Sequence, residues 1–191
     1  MRQILLAAAA ATLLELGCPL TQLAEFTEQV PCVPGRLERI GRKTPAVFVD
    51  YAHTPDGLVK AQASLRKLSA GRLITVFGCG GDRDRGKRPL MGAAVAQAAD
   101  VAVVTSDNPR SEAPEAIISE ILPGMNGSAA VPRCRVLVEA DRRRAIEIAL
   151  NEARGNDVIL IAGKGHEPYQ EIAGVRHDFD DRLVCRNILG V

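Results

Sequence analysis

The chain has 191 residues, 47% hydrophobic and 25% charged, with a formal net charge of +1. That length and balance suit one ordinary globular domain, with room for part of a second, and a core that needs no disulfide or metal to hold it. Near-equal numbers of basic (24) and acidic (23) residues, with no Trp and only 2 Tyr and 4 Phe, exclude a nucleic-acid binder driven by counterion release or base stacking.

The N-terminus pairs Met1-Arg2 with an apolar run from Ile4 to Leu14, the ingredients of a secretory signal. Glu15 follows directly, however, and the run falls short of the roughly 20 residues that span a bilayer. A buried Ala/Leu helix ending near Gly17 is the better expectation, in a cytoplasmic protein with no membrane partner. Pro19-Leu20 and Thr21 start a second short helical stretch, which carries Leu23, Ala24 and Phe26 and fades by Val30. Pro31-Cys32-Val33-Pro34-Gly35 then reads as a linker. Two helices without a strand do not make a domain, so residues 1–34 read as the tail of one.

From Ala46 a regular alternation begins. Short β-branched runs at Ala46–Val49, Leu73–Phe77, Val101–Val104, Val136–Val138 and Val158–Ile161 are apolar at consecutive positions, as strands buried on both faces are. Helical stretches lie between them at Gly57–Leu68, Pro89–Ala99, Pro114–Leu122 and Arg142–Ala153; in the last, Ala145, Ile146, Ile148 and Ala149 form the apolar stripe. The predicted fold is therefore α/β, a Rossmann-like and mostly parallel sheet with helices on both faces. Tyr169–Ile172 and Val175–His177 flank Ala173-Gly174, which predicts a C-terminal hairpin. A closing helix over about 181–189 follows, with Asp180 as its N-cap.

The five cysteines (18, 32, 79, 134, 185) are scattered without C-x-x-C spacing, which argues against a structural metal and fits a reducing compartment.

Ligands of open parallel sheets bind beyond the carboxyl ends of the strands. Here four strands run into polar clusters: Asp50-Tyr51-Ala52-His53-Thr54-Pro55-Asp56, the Gly78–Pro89 loop, Asp107-Asn108-Pro109-Arg110, and Gly163-Lys164-Gly165-His166-Glu167. Their density of proline and glycine points to fixed backbone and one composite site. Gly81 to Lys87 has phosphate-loop spacing, but Arg88 stands where a Mg²⁺-holding hydroxyl is required, and Asp82 and Asp84 sit where phosphate would. A glycine loop rich in Arg suits a carboxylate better.

These four motifs, in this order, resemble the C-terminal domain of the Mur ligases, most closely the MurE type; Pro34-Gly35-Arg36-Leu37-Glu38 is similar to the family's interdomain junction. The resemblance covers nearly the whole chain. It implies that residues 1–34 end the central ATPase domain and that 35–191 form the amino-acid-binding domain. It further implies an ATP-dependent ligase that adds meso-2,6-diaminopimelate to UDP-MurNAc-L-Ala-D-Glu through an acyl phosphate. Mg²⁺ ligands and the phosphate loop would lie in the central domain, so this chain alone is expected to bind but not to turn over. Its amino-acid pocket would map onto Arg83, Asp107, Asn108, Pro109, Arg110, Gly163 and Glu167, and its nucleotide contacts onto Arg36 and Asp50. His53 either borders the same nucleotide or is an ordinary helix-start residue. In that pocket Arg83 and Arg110 would hold carboxylates and Asp107 and Glu167 accept from ammonium groups, with Arg110 reading the distal carboxylate that lysine lacks. Arg85, Lys87, Arg88 and Arg142-Arg143-Arg144 are expected to be solvated or structural charges, and His177 a hairpin surface residue. The competing reading is a stand-alone, non-catalytic α/β module for a small amino acid or nucleotide.

Overall fold

The computed structural model describes residues 2–29, 32–42, 44–68, 70–126 and 134–191. The chain divides into two compact units, Met1–Val33 and Pro34–Val191.

In the first unit, α1 (Arg2–Glu15) is built from strong helix formers and α2 (Leu20–Gln29) follows after Pro19. The amide of Gly17 donates to the Leu14 carbonyl (2.9 Å) and that of Cys18 to Leu13 (2.9 Å). This is a Schellman stop, and its φ of +83° at Gly17 is open to glycine at no steric cost. The helix thus ends where its sequence predicts, but its described side chains are mostly exposed rather than buried as expected, Leu13 and Leu14 among them. The described part of this unit contains no strand; the predicted fading of α2 at Val30 and the linker residue Pro31 lie outside the described residues.

The second unit carries β1 (Glu38–Ile40), β2 (Ala46–Asp50), α3 (Pro55–Arg66), β3 (Leu73–Phe77), α4 (Lys87–Ala96), β4 (Val101–Val104), α5 (Pro114–Met125), β5 (Arg135–Val138), α6 (Arg142–Glu152), β6 (Val158–Ala162), β7 (Tyr169–Ile172), β8 (Val175–Asp178) and α7 (Asp181–Leu189). Among the described residues six strands form one sheet in the order β1-β2-β6-β3-β4-β5, and β7-β8 form a separate antiparallel hairpin. Only the edge pair β1–β2 in the large sheet is antiparallel. The chain passes from β2 through α3 to β3 and later returns through α6 to place β6 between them.

Side chains of successive strand residues point to opposite faces, and both faces are covered. Leu73, Phe77, Ala102, Val104, Val158 and Leu160 pack with α3, α4 and α5. Ile74, Val76, Val101, Val103, Ile159 and Ile161 pack with α6 and α7. This double burial explains the uninterrupted apolar runs. The one polar residue inside β3, Thr75, is satisfied: its hydroxyl donates to Gln62 Oε1 (3.1 Å), whose amide donates on to the Ala94 carbonyl (3.0 Å).

The five predicted strands, the hairpin and the closing helix are all present. Asp180 caps α7 by accepting the Arg182 amide (2.8 Å). The sequence reading missed β1, which offers only three residues and one inward apolar side chain, Ile40.

Candidate functional site

Because β2, β3, β4 and β6 run parallel, their carboxyl ends meet at one edge. The loops that follow enclose a cavity of about 530 Å³. Arg83, Asp107, Asn108, Arg110, Gly163 and Glu167 line it together with Tyr51, His53 and Lys87. Pro109 stands behind the wall, its carbonyl accepting the Glu112 amide (3.0 Å).

Charge at the floor is buried. Asp107 is 7% exposed, and its desolvation pushes the carboxyl above the usual range, opposed by Arg142 and Lys164. Gly163 lies so close that a Cβ there would fall 2.4 Å from Asp107 Oδ2; with φ at +117°, only glycine fits. Lys164 is completely enclosed. Its Nζ donates to Asn108 Oδ1 (2.9 Å) and lies 3.4 Å from Glu167 Oε2 and 3.8 Å from Asp107 Oδ1. Burial lowers the Lys164 pKa, while those carboxylates oppose the shift. Asn108 Nδ2 donates to Glu167 Oε2 (3.0 Å) and the Tyr51 hydroxyl to Glu167 Oε1 (3.3 Å). The sequence reading quoted Lys164 within its motif but gave it no role. Its signal was a lysine between two glycines, directly after a strand buried on both faces.

The opposite wall is basic. A Cβ on Gly80 would lie 3.0 Å from Arg110 Nη1 and 3.6 Å from Arg83 Cγ, so the two arginines converge at that point. Arg110 sits at φ +54° and its backbone bridges to the hairpin at Ile172. Its Nη1 donates to the Gly81 carbonyl (2.7 Å) and its Nε lies 4.0 Å from Glu171 Oε2. Arg83 is exposed at the cavity wall.

The loop with phosphate-loop spacing is closed to phosphate by its own carboxylates. The amides of Gly81, Asp82 and Gly86 donate to the Asn108 carbonyl, Glu112 Oε1 and Asp84 Oδ1. Asp82 accepts both the amide and the hydroxyl of Ser111 (3.1 and 2.6 Å). Arg88 turns inward, 1% exposed, with Glu112 across its fork (2.7 and 3.0 Å) and Glu120 beside it (2.8 Å). Arg88 and the Asp82 amide hold the Glu112 carboxyl down at about 2. Depression below the ordinary 4.5 means Glu112 stabilises the fold fully above that pH and ceases to do so as pH falls through about 2. Glu112→Gln is therefore expected to flatten the decline of stability between those pH values, read by urea denaturation across an acid series. An unchanged acid limb would show that the pair does not persist in solution.

Two of the residues mapped to the nucleotide, Arg36 and His53, gather around one ring. The Arg36 guanidinium stands 4.9 Å from the centre of the Tyr51 ring, and the His53 ring packs edge-on against it at 4.6 Å. His53 Nδ1 is 2.8 Å from the Tyr51 carbonyl oxygen. The start of α3 is capped instead by Thr54, whose hydroxyl accepts the Gly57 amide (3.1 Å) ahead of Pro55. Asp50 accepts the Leu37 amide (2.7 Å), which ties the Gly35–Glu38 turn to the end of β2. Burial raises the Asp50 pKa, countered by that bond and by Arg36. Of the charges expected to be solvated or structural, Arg143, Arg144, Arg85 and Lys87 are exposed, whereas Arg88 and Arg142 are buried, Arg142 with no exposed side-chain surface. His177 is exposed on the hairpin as predicted. Among the described residues no cluster of three or more His, Cys, Asp or Glu is placed to hold a metal ion, and no helix is long and apolar enough to cross a membrane.

Residues 35–165 match the family described as Mur ligase, glutamate ligase domain. The chain is 50% identical over 187 residues to the UDP-N-acetylmuramoyl-L-alanyl-D-glutamate–2,6-diaminopimelate ligase of Chromobacterium violaceum, covering 96% of this chain and 37% of that protein. It is 48% identical over 194 residues to the ligase of the same name from Xanthomonas oryzae pv. oryzae, covering 97% and 38%. A solved structure of a ligase with this name superposes with a TM-score of 0.75 at 41% identity, over 96% of this chain and 37% of the other. Mycobacterium tuberculosis folylpolyglutamate synthase complexed with ADP and AMPPCP superposes with a TM-score of 0.55 at 25% identity, over 84% and 33%. The chain thus spans 37–38% of the length of the curated ligases it matches.

Proposed function

The chain belongs to the Mur ligase family through its glutamate ligase domain, and we propose that it is the amino-acid-binding portion of an ATP-dependent ligase joining meso-diaminopimelate to UDP-MurNAc-L-Ala-D-Glu. One observation carries the reading: a single cavity lined by two arginines that meet at Gly80, Arg110 by its guanidinium and Arg83 by its side-chain stem, and by two carboxylates, Asp107 and Glu167, grouped around Lys164. Diaminopimelate has two carboxylates and two ammonium groups. Arg83 and Arg110 would take the former in charge-assisted, forked hydrogen bonds, and Asp107 and Glu167 would accept from the latter. In this family's chemistry ATP phosphorylates the D-Glu carboxyl and the amine then attacks the acyl phosphate. The cavity's part is to hold that amine in a fixed orientation, which converts an encounter into a near-unimolecular step.

Mg²⁺ does not fit the described residues. They offer no carboxylate cluster, and the one loop with phosphate-loop spacing spends its amides internally. No step is therefore assigned to the ion here; with the ATP phosphates it belongs to the part of the ligase that this chain does not span. Arg36 and His53, which meet at the Tyr51 ring, and Asp50 at the end of β2 are the proposed edge of the nucleotide site. Cysteines scattered without C-x-x-C spacing suit the reducing cytosol, where such a ligase would work.

The test is titration of the ¹⁵N-labelled chain with meso-diaminopimelate and, in parallel, L-lysine. The amides of Gly80, Asn108, Arg110 and Glu167 are expected to shift with diaminopimelate, and to shift less with lysine. No shift at millimolar diaminopimelate would sink the assignment.

A further inference from the structure

Lys164 lies behind the cavity lining, where no ligand reaches it. Its side chain has no exposed surface, so it acts only through its neighbours. Those neighbours are arranged in a line. Asn108 Oδ1 accepts from Lys164 Nζ (2.9 Å) and from the Glu171 amide (3.0 Å), which uses both of its lone pairs and fixes which end of the amide is oxygen. A flipped amide would set NH₂ against an ammonium and an N–H. With Oδ1 so held, Nδ2 must donate to Glu167 Oε2 (3.0 Å), which Lys164 also approaches at 3.4 Å. Glu167 Oε1, touched by the Tyr51 hydroxyl (3.3 Å), is then the oxygen left for a ligand.

We propose that Lys164 is a positioning residue of this site: its enclosed ammonium sets the Asn108 amide, through it the orientation of Glu167, and it supplies part of the positive charge that Asp107 faces. The proposal rests on reading the cavity as an ammonium-binding amino-acid site, and its test is built to fail separately from that reading. Other groups face the same pocket of charge. Arg142, Asp181, the Tyr51 hydroxyl and the Cys79 thiol interact electrostatically with Asp107, and the Tyr169 ring centre is 5.5 Å from Lys164 Nζ. Arg142 already has Asp181 as a two-bonded partner (2.8 and 2.7 Å), and Lys164, 3.8 Å from Asp107 Oδ1, is the second cation that Asp107 faces. Burial raises the Asp107 pKa, and Lys164 is one of the two cations that restrain it. Removal of the ammonium should let it rise further.

Two variants separate charge from hydrogen bonding. Lys164→Met keeps the volume and removes both; Lys164→Gln keeps a donor for Asn108 and removes only the charge. The first readout is the titration of the Asp107 carboxyl carbon by ¹³C NMR in the 191-residue chain, which requires no ligand. Both variants should titrate Asp107 at higher pH than the parent, a shift that a purely space-filling role would not produce. The second readout is affinity for meso-diaminopimelate, expected to fall about 10- to 150-fold in Lys164→Met, the range of a hydrogen bond to a charged group, and less in Lys164→Gln. Circular dichroism establishes that each variant is folded; should Lys164→Met not fold, Lys164→Gln carries the titration. An Asp107 midpoint unmoved in the folded variants overturns the proposal, even if the parent binds diaminopimelate. If Asp107 moves but the parent binds no diaminopimelate, the substrate reading falls and the role of Lys164 stands.

Discussion

Arg142→Ala is expected to lower the unfolding free energy by about 3–5 kcal/mol, the usual cost of stranding one member of a buried ion pair. Arg142 and Asp181 have no exposed side-chain surface and meet through two hydrogen bonds (2.8 and 2.7 Å). Two further guanidinium N–H groups donate to the carbonyls of Ser106 (3.2 Å) and Ala162 (2.9 Å). One arginine thus joins the ends of β4 and β6 and the start of α7. Its loss leaves a carboxylate without a partner and two buried carbonyls without their donor. For a domain of this size the cost corresponds to a fall in Tm of roughly 6–20 °C. The double variant Arg142→Met/Asp181→Leu should recover most of the loss, because replacing both charges by apolar groups removes the penalty along with the attraction. Urea denaturation of the two single variants and the double variant decides it. A single-variant loss within about 1 kcal/mol, the range of an exposed pair, would mean that the two ions are hydrated in solution. The consequence reaches the cavity, since Ser106 and Ala162 immediately precede Asp107 and Gly163.

That pair marks the limit of what the amino-acid sequence discloses. The strands were legible because burial on both faces leaves a local trace, five or so consecutive residues rich in β-branched and other apolar side chains, such as Leu73–Phe77 and Val158–Ala162. The composite edge was legible because close backbone approach demands glycine and proline, as at Gly163 against Asp107. Burial of a charge leaves no such trace. Arg142 stands in a run of three arginines, and only the fold brings it to Asp181, 39 residues on. Lys164 likewise depends on Asn108, 56 residues earlier. Both readings would have required the sheet order, which places β6 beside β3 and so sets the loop after β6 against the loop after β4. The edge strand β1 failed for a different reason: three residues are too few to show a period.

The structure also sharpens what Arg110 can be asked to do. Within a ligase that contains this chain, Arg110→Ala is expected to reduce the preference for meso-diaminopimelate over L-lysine roughly 30- to 150-fold. The estimate corresponds to about 2–3 kcal/mol, the lower part of the range for truncating one partner of a buried charge pair. Two observations place it there. The Arg110 side chain is 23% exposed, so its pair with a ligand carboxylate is only partly desolvated. One face of its fork is also already committed, with Nη1 on the Gly81 carbonyl at 2.7 Å. On the proposed reading, that same bond would make the arginine selective. It fixes the guanidinium over Gly80, beside Arg83, so a ligand must bring its carboxylate to that point, and lysine has none at its distal end. Lysine need not improve as a substrate, because Asp107 and Glu167 would remain spaced for the longer ligand. The change should come from kcat/KM for diaminopimelate falling while that for lysine holds. Arg83→Ala gives the complement: loss with both amino acids if Arg83 takes the shared α-carboxylate, and with diaminopimelate alone if it joins Arg110 at the distal one. Steady-state kinetics of the parent and both variants with each amino acid is the measurement. If Arg110→Ala lowers kcat/KM for the two substrates by the same factor, Arg110 does not read the distal carboxylate.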